Sequence, residues 1–300
     1  MSEKDRRRLT LSDGIAEAVV LPWLGAGLER YDLISSGRRE PLFRAAPAET
    51  TDAFSLANIL LVPWSNRISG GGFRFRGDFH RLEPNAPGEP FPIHGNGFQS
   101  EWQVKEHGPA DAVLSLSSDG PGPFRYEAEI AYSLAAGALT MSLTVVNKAP
   151  IALPYGLGFH PWLPRTPDVL LHAPAEGVWL EDQDHLPTAR VEIAERPQWD
   201  FSSPRPLPAQ WINNAFDGWS GRAELLWPER RLSLTVEAGP ALGVYILYSP
   251  DRSADFFCFE PVNHSVDAHN LAPATGAGGL AILGVGERAQ ASCRFVPKAV

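Results

Sequence analysis

The stretch LTMSLTVV, residues 139–146, alternates apolar and small polar side chains. Successive side chains of a β-strand point to opposite faces, so its leucines and methionine would share one face, and its threonines and serine the other. The preceding stretch RYEAEIAYSL, residues 125–134, has the same period and is the predicted partner strand. The two segments predict an antiparallel pair with one buried face.

Other segments extend this prediction toward both ends of the chain. ELLW (224–227), a PERR turn and RLSLTVEA (231–238) predict a hairpin, and QASCRFV (290–296) alternates again. The run ALGVYILYS (241–249) is apolar throughout, which is typical of a strand buried on both faces. The best helix candidate, TTDAFSLAN (50–58), is short, and no segment sustains a long helical period.

The composition favours many short strands joined by tight turns. The 300 residues include 27 glycines and 28 prolines spread along the chain, and no linker, repeat or change in composition divides it. We therefore predict an all-β fold with few short helices, built as one large antiparallel β-sandwich domain over residues 1–300. Residues 164–222 are expected to form a long irregular middle with proline-rich surface loops.

Charge and hydropathy exclude several classes of partner. The formal net charge of −9 disfavours binding to nucleic acid or to an anionic membrane. No N-terminal signal segment and no apolar run of about 18 residues are present, so we predict a cytoplasmic protein. The two cysteines, Cys258 and Cys293, lie in strand-like runs and are expected to be buried thiols.

Four motifs place polar side chains among glycines and aromatics at presumed strand ends. Glu260 either lies at an exposed rim or is buried with a partner, where a raised pKa would make it a competent base. His160 and His94 are each either packed structural histidines or functional groups, and Arg67 either binds a ligand or braces a loop. The motifs are PWSNRISGGGF (63–73), FPIHGNGF (91–98), GLGFHPW (156–162) and FFCFEPVNHSVDAHN (256–270).

Other chemistries have weaker signals. His264 and His269 flank Asp267, but the HxH and HExxH spacings that place two imidazoles on one metal ion are absent. No GxSxG elbow indicates a serine nucleophile, and no GxGxxG or GxxxxGK[ST] motif indicates a nucleotide. The sequence thus predicts a site without a metal or a cofactor.

The four motifs, in this order and at these separations, resemble those of the aldose 1-epimerase (galactose mutarotase) family. The resemblance extends from LPWLGAGLERYDL (21–33) to the final strands. It implies a galactose mutarotase-like supersandwich. Carried over by motif, it makes Glu260 the general base and His160 the general acid, with Arg67 and His94 holding sugar oxygens.

The resemblance also marks further positions in the sugar site. Asn66 and Trp162, beside Arg67 and His160 in their motifs, are expected to contact the sugar. The family usually has an aspartate where INNAFDGW (212–219) has Asn213. An amide keeps a donor and an acceptor but cannot form the charge-assisted bonds of a carboxylate, so this departure bears on sugar preference.

The expected activity is that of an isomerase on a small-molecule sugar. Interconverting the two anomers requires one base and one acid on one sugar and no cofactor. A related branch that acts on hexose 6-phosphates usually has an arginine shortly after its His-Gly motif. This chain has Gln99 there, which favours a neutral aldose as the substrate. Two alternative functions stay open, a non-catalytic sugar-binding sandwich and a carbohydrate hydrolase or lyase. The sequence is compatible with a monomer and with a homodimer.

Overall fold

The computed structural model describes residues 7–35, 37–271 and 279–300, and within these ranges it is built almost entirely from strands. The strands are β1 Leu9–Ser12, β2 Ala16–Leu21, β3 Gly27–Ser35, β4 Arg38–Pro41, β5 Asn58–Leu61, β6 Gly72–Phe75, β7 Asp78–Arg81, β8 Gln103–His107, β9 Asp111–Ser118, β10 Tyr126–Ala135, β11 Ala138–Asn147, β12 Leu153–Tyr155, β13 Gly158–Pro164, β14 Leu170–His172, β15 Gly177–Glu181, β16 Pro187–Glu192, β17 Arg205–Pro206, β18 Ile212–Asp217, β19 Arg222–Trp227, β20 Leu232–Ala238, β21 Val244–Ser249, β22 Phe256–Val262, β23 Ala281–Leu283 and β24 Arg288–Ala299. Short 3-10 helices cover Ala53–Ser55, Gly97–Gln99, Ile193–Glu195, Pro197–Trp199 and Pro228–Arg230.

The strands form two large antiparallel sheets and two small ones. The larger sheet has eleven strands in the order β1-β2-β3-β5-β13-β22-β21-β18-β15-β16, with β4 added to β3. The second has nine, in the order β17-β14-β19-β20-β24-β11-β10-β9-β8, and the pairs β12-β23 and β6-β7 stand apart. This is the predicted all-β sandwich.

The main core lies between the two large sheets. The eleven-stranded sheet contributes Phe159, Phe257 and Phe259, and the nine-stranded sheet contributes Met141 and Leu143, all of them fully buried. We call the surface of the eleven-stranded sheet that faces this core its inner face. Burial of these aromatic and aliphatic side chains is the main force that holds the sheets together.

A second, smaller core covers the opposite surface of the same sheet, which we call the outer face. It includes Leu61, Trp162, Ile246 and Cys258 from the strands and Phe98 from a 3-10 helix that packs on them. Since side chains alternate along a strand, β13 and β22 each send one set of residues to each face. The outer face carries the candidate site described below.

The strand positions and partners predicted from the sequence are confirmed. β10 and β11 pair from Tyr126 with Asn147 to Ala135 with Ala138. The predicted hairpin is β19 and β20, and the apolar run 241–249 contains β21, five of whose six residues are buried. Both cysteines are free and buried, as expected.

Two details differ from expectation. The segment 164–222 is not a long irregular middle, because it holds β14 to β18, which are short and extend both large sheets. Their sequences lack a clean alternation, since strands of two to six residues offer too few positions to show it. The helix candidate 50–58 contains one 3-10 turn, Ala53–Ser55, with Asp52 accepting from the Phe54 N–H at its start. Within the described ranges, none of the helices is long and apolar enough to cross a membrane.

Candidate functional site

Two adjacent central strands of the eleven-stranded sheet hold the centre of the site. β13 pairs with β22 in a register that joins Gly158 to Val262 and Trp162 to Cys258, so His160 stands opposite Glu260. Both side chains point to the outer face, and His160 Nε2 lies 3.3 Å from Glu260 Oε1. Glu260 is 2% exposed, so of the two interpretations of its motif, an exposed rim or burial beside a partner, the structure has the second.

Burial moves the pKa values of this pair in opposite directions. Loss of solvation raises the pKa of Glu260 well above its ordinary 4.5, an effect that nearby Arg67 partly offsets, and it lowers the pKa of His160 to about 3. His160 Nδ1 and Glu260 Oε2 have no hydrogen-bond partner among the described residues. Buried polar atoms normally have partners, so these two are available for a ligand.

Arg67 and His94 come from two loop segments that are joined side by side. An isolated bridge pairs Val62 with Gly95, and a second pairs Arg67 with Ile93. Gly95 has a φ of +69°, and a Cβ atom there would lie 2.2 Å from the Val62 carbonyl oxygen. The glycine in the HGNGF motif therefore permits the close backbone approach that brings His94 beside Arg67.

The hydrogen bonds of His94 determine its tautomer. The backbone N–H of Asn66 donates to His94 Nδ1 at 3.0 Å, so Nδ1 carries no proton. Burial, with His160 and Arg67 nearby, lowers the pKa of His94 well below its ordinary value. The ring is therefore neutral with its proton on Nε2, and its centroid lies 5.2 Å from that of His160. It can donate one hydrogen bond to a ligand oxygen.

The guanidinium of Arg67 is held in place by Glu89. Its Nε and Nη2 atoms donate to the two carboxylate oxygens at 2.9 and 2.8 Å. Asn85 ties the loop that carries Glu89 to the His94 segment, since it accepts from the Ile93 N–H and donates to the Ile93 and Gly95 carbonyls. The bidentate pair of Arg67 and Glu89 fixes the guanidinium in one geometry.

Two further side chains lie beside the pair formed by His160 and Glu260. Asn213 lies on β18, and Trp162 stacks on His160. The indole and imidazole centroids of Trp162 and His160 are 4.0 Å apart, with 21° between the planes. Asn213 Nδ2 donates to Glu181 Oε2 at 3.0 Å. Trp162 thus packs against the His160 imidazole.

A pocket of about 570 Å³ opens over these groups on the outer face, a size typical of small-molecule sites. All seven residues predicted from the sequence line it, namely Asn66, Arg67, His94, His160, Trp162, Asn213 and Glu260. The side chains that sequence reasoning missed, and that line or brace the pocket, include Glu89, Glu181, Asp184, His185, Trp211 and Tyr248. Their segments carry no motif, and only the three-dimensional contacts reveal them.

The other histidine motif is structural. His264 Nε2 accepts from the Ser65 N–H, and its Nδ1 bonds the Ser265 carbonyl. Asp267 accepts from the backbone and the hydroxyl of Ser69, and His269 Nε2 bonds the Pro154 carbonyl. These three side chains anchor loops.

One group in the described part of the chain has metal-ligand spacing: His160, Cys258 and Glu260, with ligand atoms within 4.8 Å of one another. Burial raises the pKa of the Cys258 thiol, and a metal ion would require the thiolate. The donor set therefore fits a metal ion poorly.

Comparison with known proteins agrees with this geometry. The sequence profile described as aldose 1-epimerase matches residues 7–296. The uncharacterised protein YphB of Escherichia coli strain K12 is 35% identical over 216 residues, which are 70% of this chain and 74% of that protein.

Solved structures extend the similarity to the whole fold. The crystal structure of a candidate aldose 1-epimerase from E. coli K12 has a TM-score of 0.90 and 31% identity, and the alignment covers 98% of this chain and 99% of that one. A galactose mutarotase-like protein from Clostridium acetobutylicum shares the fold at 15% identity, with a TM-score of 0.85 and coverage of 100% and 97%. By its sequence and its galactose mutarotase-like sandwich, the chain belongs to the aldose 1-epimerase family.

Proposed function

We propose that this chain, acting as one domain, is an aldose 1-epimerase that interconverts the α and β anomers of a neutral aldose. The observation that carries the proposal is the buried contact between His160 and Glu260 in the wall of a sugar-sized pocket, with one unpartnered atom on each. Burial of the empty pair favours the proton on Glu260, so the proposed roles require that proton to pass to His160 across their 3.3 Å contact when the sugar binds.

The proposed reaction starts with the single proton of the pair on His160 and with Glu260 ionised. Glu260 takes the proton from the sugar C1 hydroxyl, the C1–O5 bond breaks with its electron pair moving to O5, and O5 receives the proton carried by His160. The product is the open-chain aldehyde. Rotation about C1–C2 and the reverse transfers close the ring on the other face and return the pair to its starting state.

The remaining residues would hold the sugar. His94 offers an Nε2–H donor and Arg67 a guanidinium fixed by Glu89, and both suit sugar oxygens. Asn66 braces His94 through its backbone, while Trp162 and Asn213 line the opposite wall. Glu89 compensates the charge of Arg67, and the Asp184 carboxylate also lines the pocket, so the wall favours a neutral sugar over an anionic one.

A hydrolase is less consistent with this arrangement. It normally needs two carboxylates flanking the scissile bond, whereas the immediate partner of Glu260 is an imidazole. Asp267, the acid nearest in sequence within the motif, binds Ser69.

Polarimetry tests the proposal. Freshly dissolved α-anomers of galactose, glucose, arabinose and fucose are followed with and without the protein, at a pH where spontaneous mutarotation is slow. We expect faster relaxation of the optical rotation for at least one sugar. Calorimetric binding without any acceleration would contradict the enzyme and favour the sugar-binding sandwich.

A further inference from the structure

A carboxylate behind the pocket wall, that of Glu181 at the end of β15, gathers three side chains of the pocket. Trp211 Nε1 donates to its Oε1 at 2.6 Å. Asn213 Nδ2 and His185 Nδ1 both lie 3.0 Å from its Oε2. Glu181 is not itself among the residues that line the pocket, but its three partners are.

These contacts determine which atoms the wall presents. An ionised carboxylate only accepts hydrogen bonds, so the Asn213 amide must turn its nitrogen toward Glu181. Asn213 Oδ1 accepts no hydrogen bond within the described residues, and the residue lines the pocket. The same reasoning places the His185 proton on Nδ1.

The aromatic part of the wall is fixed by the same carboxylate. Trp211 is 44% exposed at the pocket, stacks on His185 with centroids 5.1 Å apart, and meets Tyr248 edge-on at 5.2 Å. An exposed tryptophan with its N–H already bonded presents mainly its apolar surface. A hydrogen-bond acceptor beside apolar rings is the arrangement that suits a sugar hydroxyl next to its C–H face.

We propose that Glu181 is the positioning residue of the sugar-recognition wall, orienting Asn213 so that Oδ1 accepts a hydrogen bond from a sugar hydroxyl while Trp211 and His185 are held beside it. This inference rests on the proposed function and adds a determinant of sugar specificity to it. In this pair Glu181 supplies the carboxylate, from β15, and the Asn213 amide is the group that contacts the sugar.

Exchanging the carboxylate of Glu181 with the amide of Asn213 tests the proposal. Asn213→Asp would place two carboxylates against each other. In Glu181→Gln the Trp211 N–H would hold the amide oxygen, so the amide nitrogen would face Asn213 and turn the Asn213 oxygen away from the sugar. We expect each single variant to weaken binding of the preferred sugar about tenfold. The double variant Glu181→Gln/Asn213→Asp restores one donor and one acceptor, with the Trp211 contact retained, and should bind within about threefold of the wild type.

The measurements are calorimetry with D-galactose, D-glucose, L-arabinose and D-fucose, and polarimetry to separate KM from kcat. A positioning role raises KM in the single variants, leaves kcat nearly unchanged, and is rescued in the double variant. Glu224→Gln, an exposed change on β19 of the other sheet, is the matched control. If Asn213→Asp does not fold, Asn213→Ala replaces it, and its weakened binding should not be rescued by Glu181→Gln.

The outcomes separate this inference from the function on which it rests. A wild type that epimerises a sugar while the single variants bind it normally overturns the inference alone. A double variant as weak as Asn213→Asp also overturns it, because orientation of the pair would then not matter. A wild type that binds none of the four sugars overturns the proposed function and this inference together.

Discussion

The two faces of β22 differ in what they contribute, although they belong to one strand of seven residues. Phe257 and Phe259 point to the inner face and are fully buried between the sheets. Cys258 and Glu260 point to the outer face, where Glu260 meets His160 across the strand pair. The comparison teaches that the sheet separates stability from chemistry: its inner face should affect unfolding, and its outer face should affect turnover.

The largest expected effect tests the inner face. Phe259→Ala removes a ring that stacks on Tyr245 at 4.6 Å and meets Trp219 edge-on at 5.5 Å. Replacing a buried phenylalanine with alanine leaves a cavity, so the free energy of unfolding should fall by about 3–5 kcal/mol in urea denaturation. Phe79→Ala, at a ring 49% exposed, is the control and should change it by about 0.5 kcal/mol or less. A loss for Phe259→Ala as small as that of the control would contradict the division between faces.

The next effect tests the outer face. Glu260→Gln keeps the shape of the side chain but cannot accept the C1 proton, so kcat in polarimetry should fall about 100-fold or more. The free energy of unfolding at neutral pH should not fall, because the variant removes a buried carboxyl whose ionisation burial opposes. The exposed Glu129→Gln on β10 is the control. Full activity of Glu260→Gln would eliminate this residue as the base.

The pH dependence of stability sharpens the comparison, because only the outer face carries this titrating pair. From pH 4.5 upward the raised pKa of Glu260 lowers stability as the pH rises, and up to pH 6.5 the lowered pKa of His160 acts in the opposite direction and offsets it. Below 4.5 the His160 shift acts without this offset, and stability falls as the pH drops toward about 3. The Glu260 shift lowers stability with rising pH until that carboxyl has ionised in the folded state.

Each single variant removes one of the two offsetting pKa shifts, so parallel curves for the two variants would contradict both shifts. His160→Gln leaves Glu260 with its raised pKa, so stability should fall with rising pH from 4.5 onward. Glu260→Gln leaves His160 with its lowered pKa, so stability should rise with pH up to 6.5. Each slope, measured by urea denaturation relative to the wild type, is at most about 1.4 kcal/mol per pH unit.

The smallest expected effect concerns the loops over the outer face. Glu89→Gln removes the charge that fixes Arg67, and the pair is partly exposed, with 11% and 26% of the two side chains accessible. We expect KM for the preferred sugar to rise about fivefold or less, with kcat unchanged, since such pairs are worth about 1 kcal/mol or less. An unchanged KM would mean that Arg67 keeps its geometry without this partner.

The sequence predicted much of this arrangement because its signals are local. Alternation along 125–147 predicted a pair of strands, and polar side chains among glycines and aromatics marked the motifs of His94 and His160. The paired strands β14 to β18 were not predicted, because they are short and their partners are distant in sequence. The contact of Glu181 with Asn213 spans 32 positions and follows no motif, so only the folded chain brings it together.

Alternation along β22 also constrains how such a chain can change in evolution. Gain or loss of one residue within the strand would turn Glu260 toward the sandwich core and Phe259 toward the sugar, because a one-residue shift moves every side chain to the other face. A single such event would abolish the core packing and the proposed chemistry together. Length variation among descendants of this chain should therefore be confined to connections away from the pocket, such as the turn at 76–77 between β6 and β7, and absent from β13 and β22.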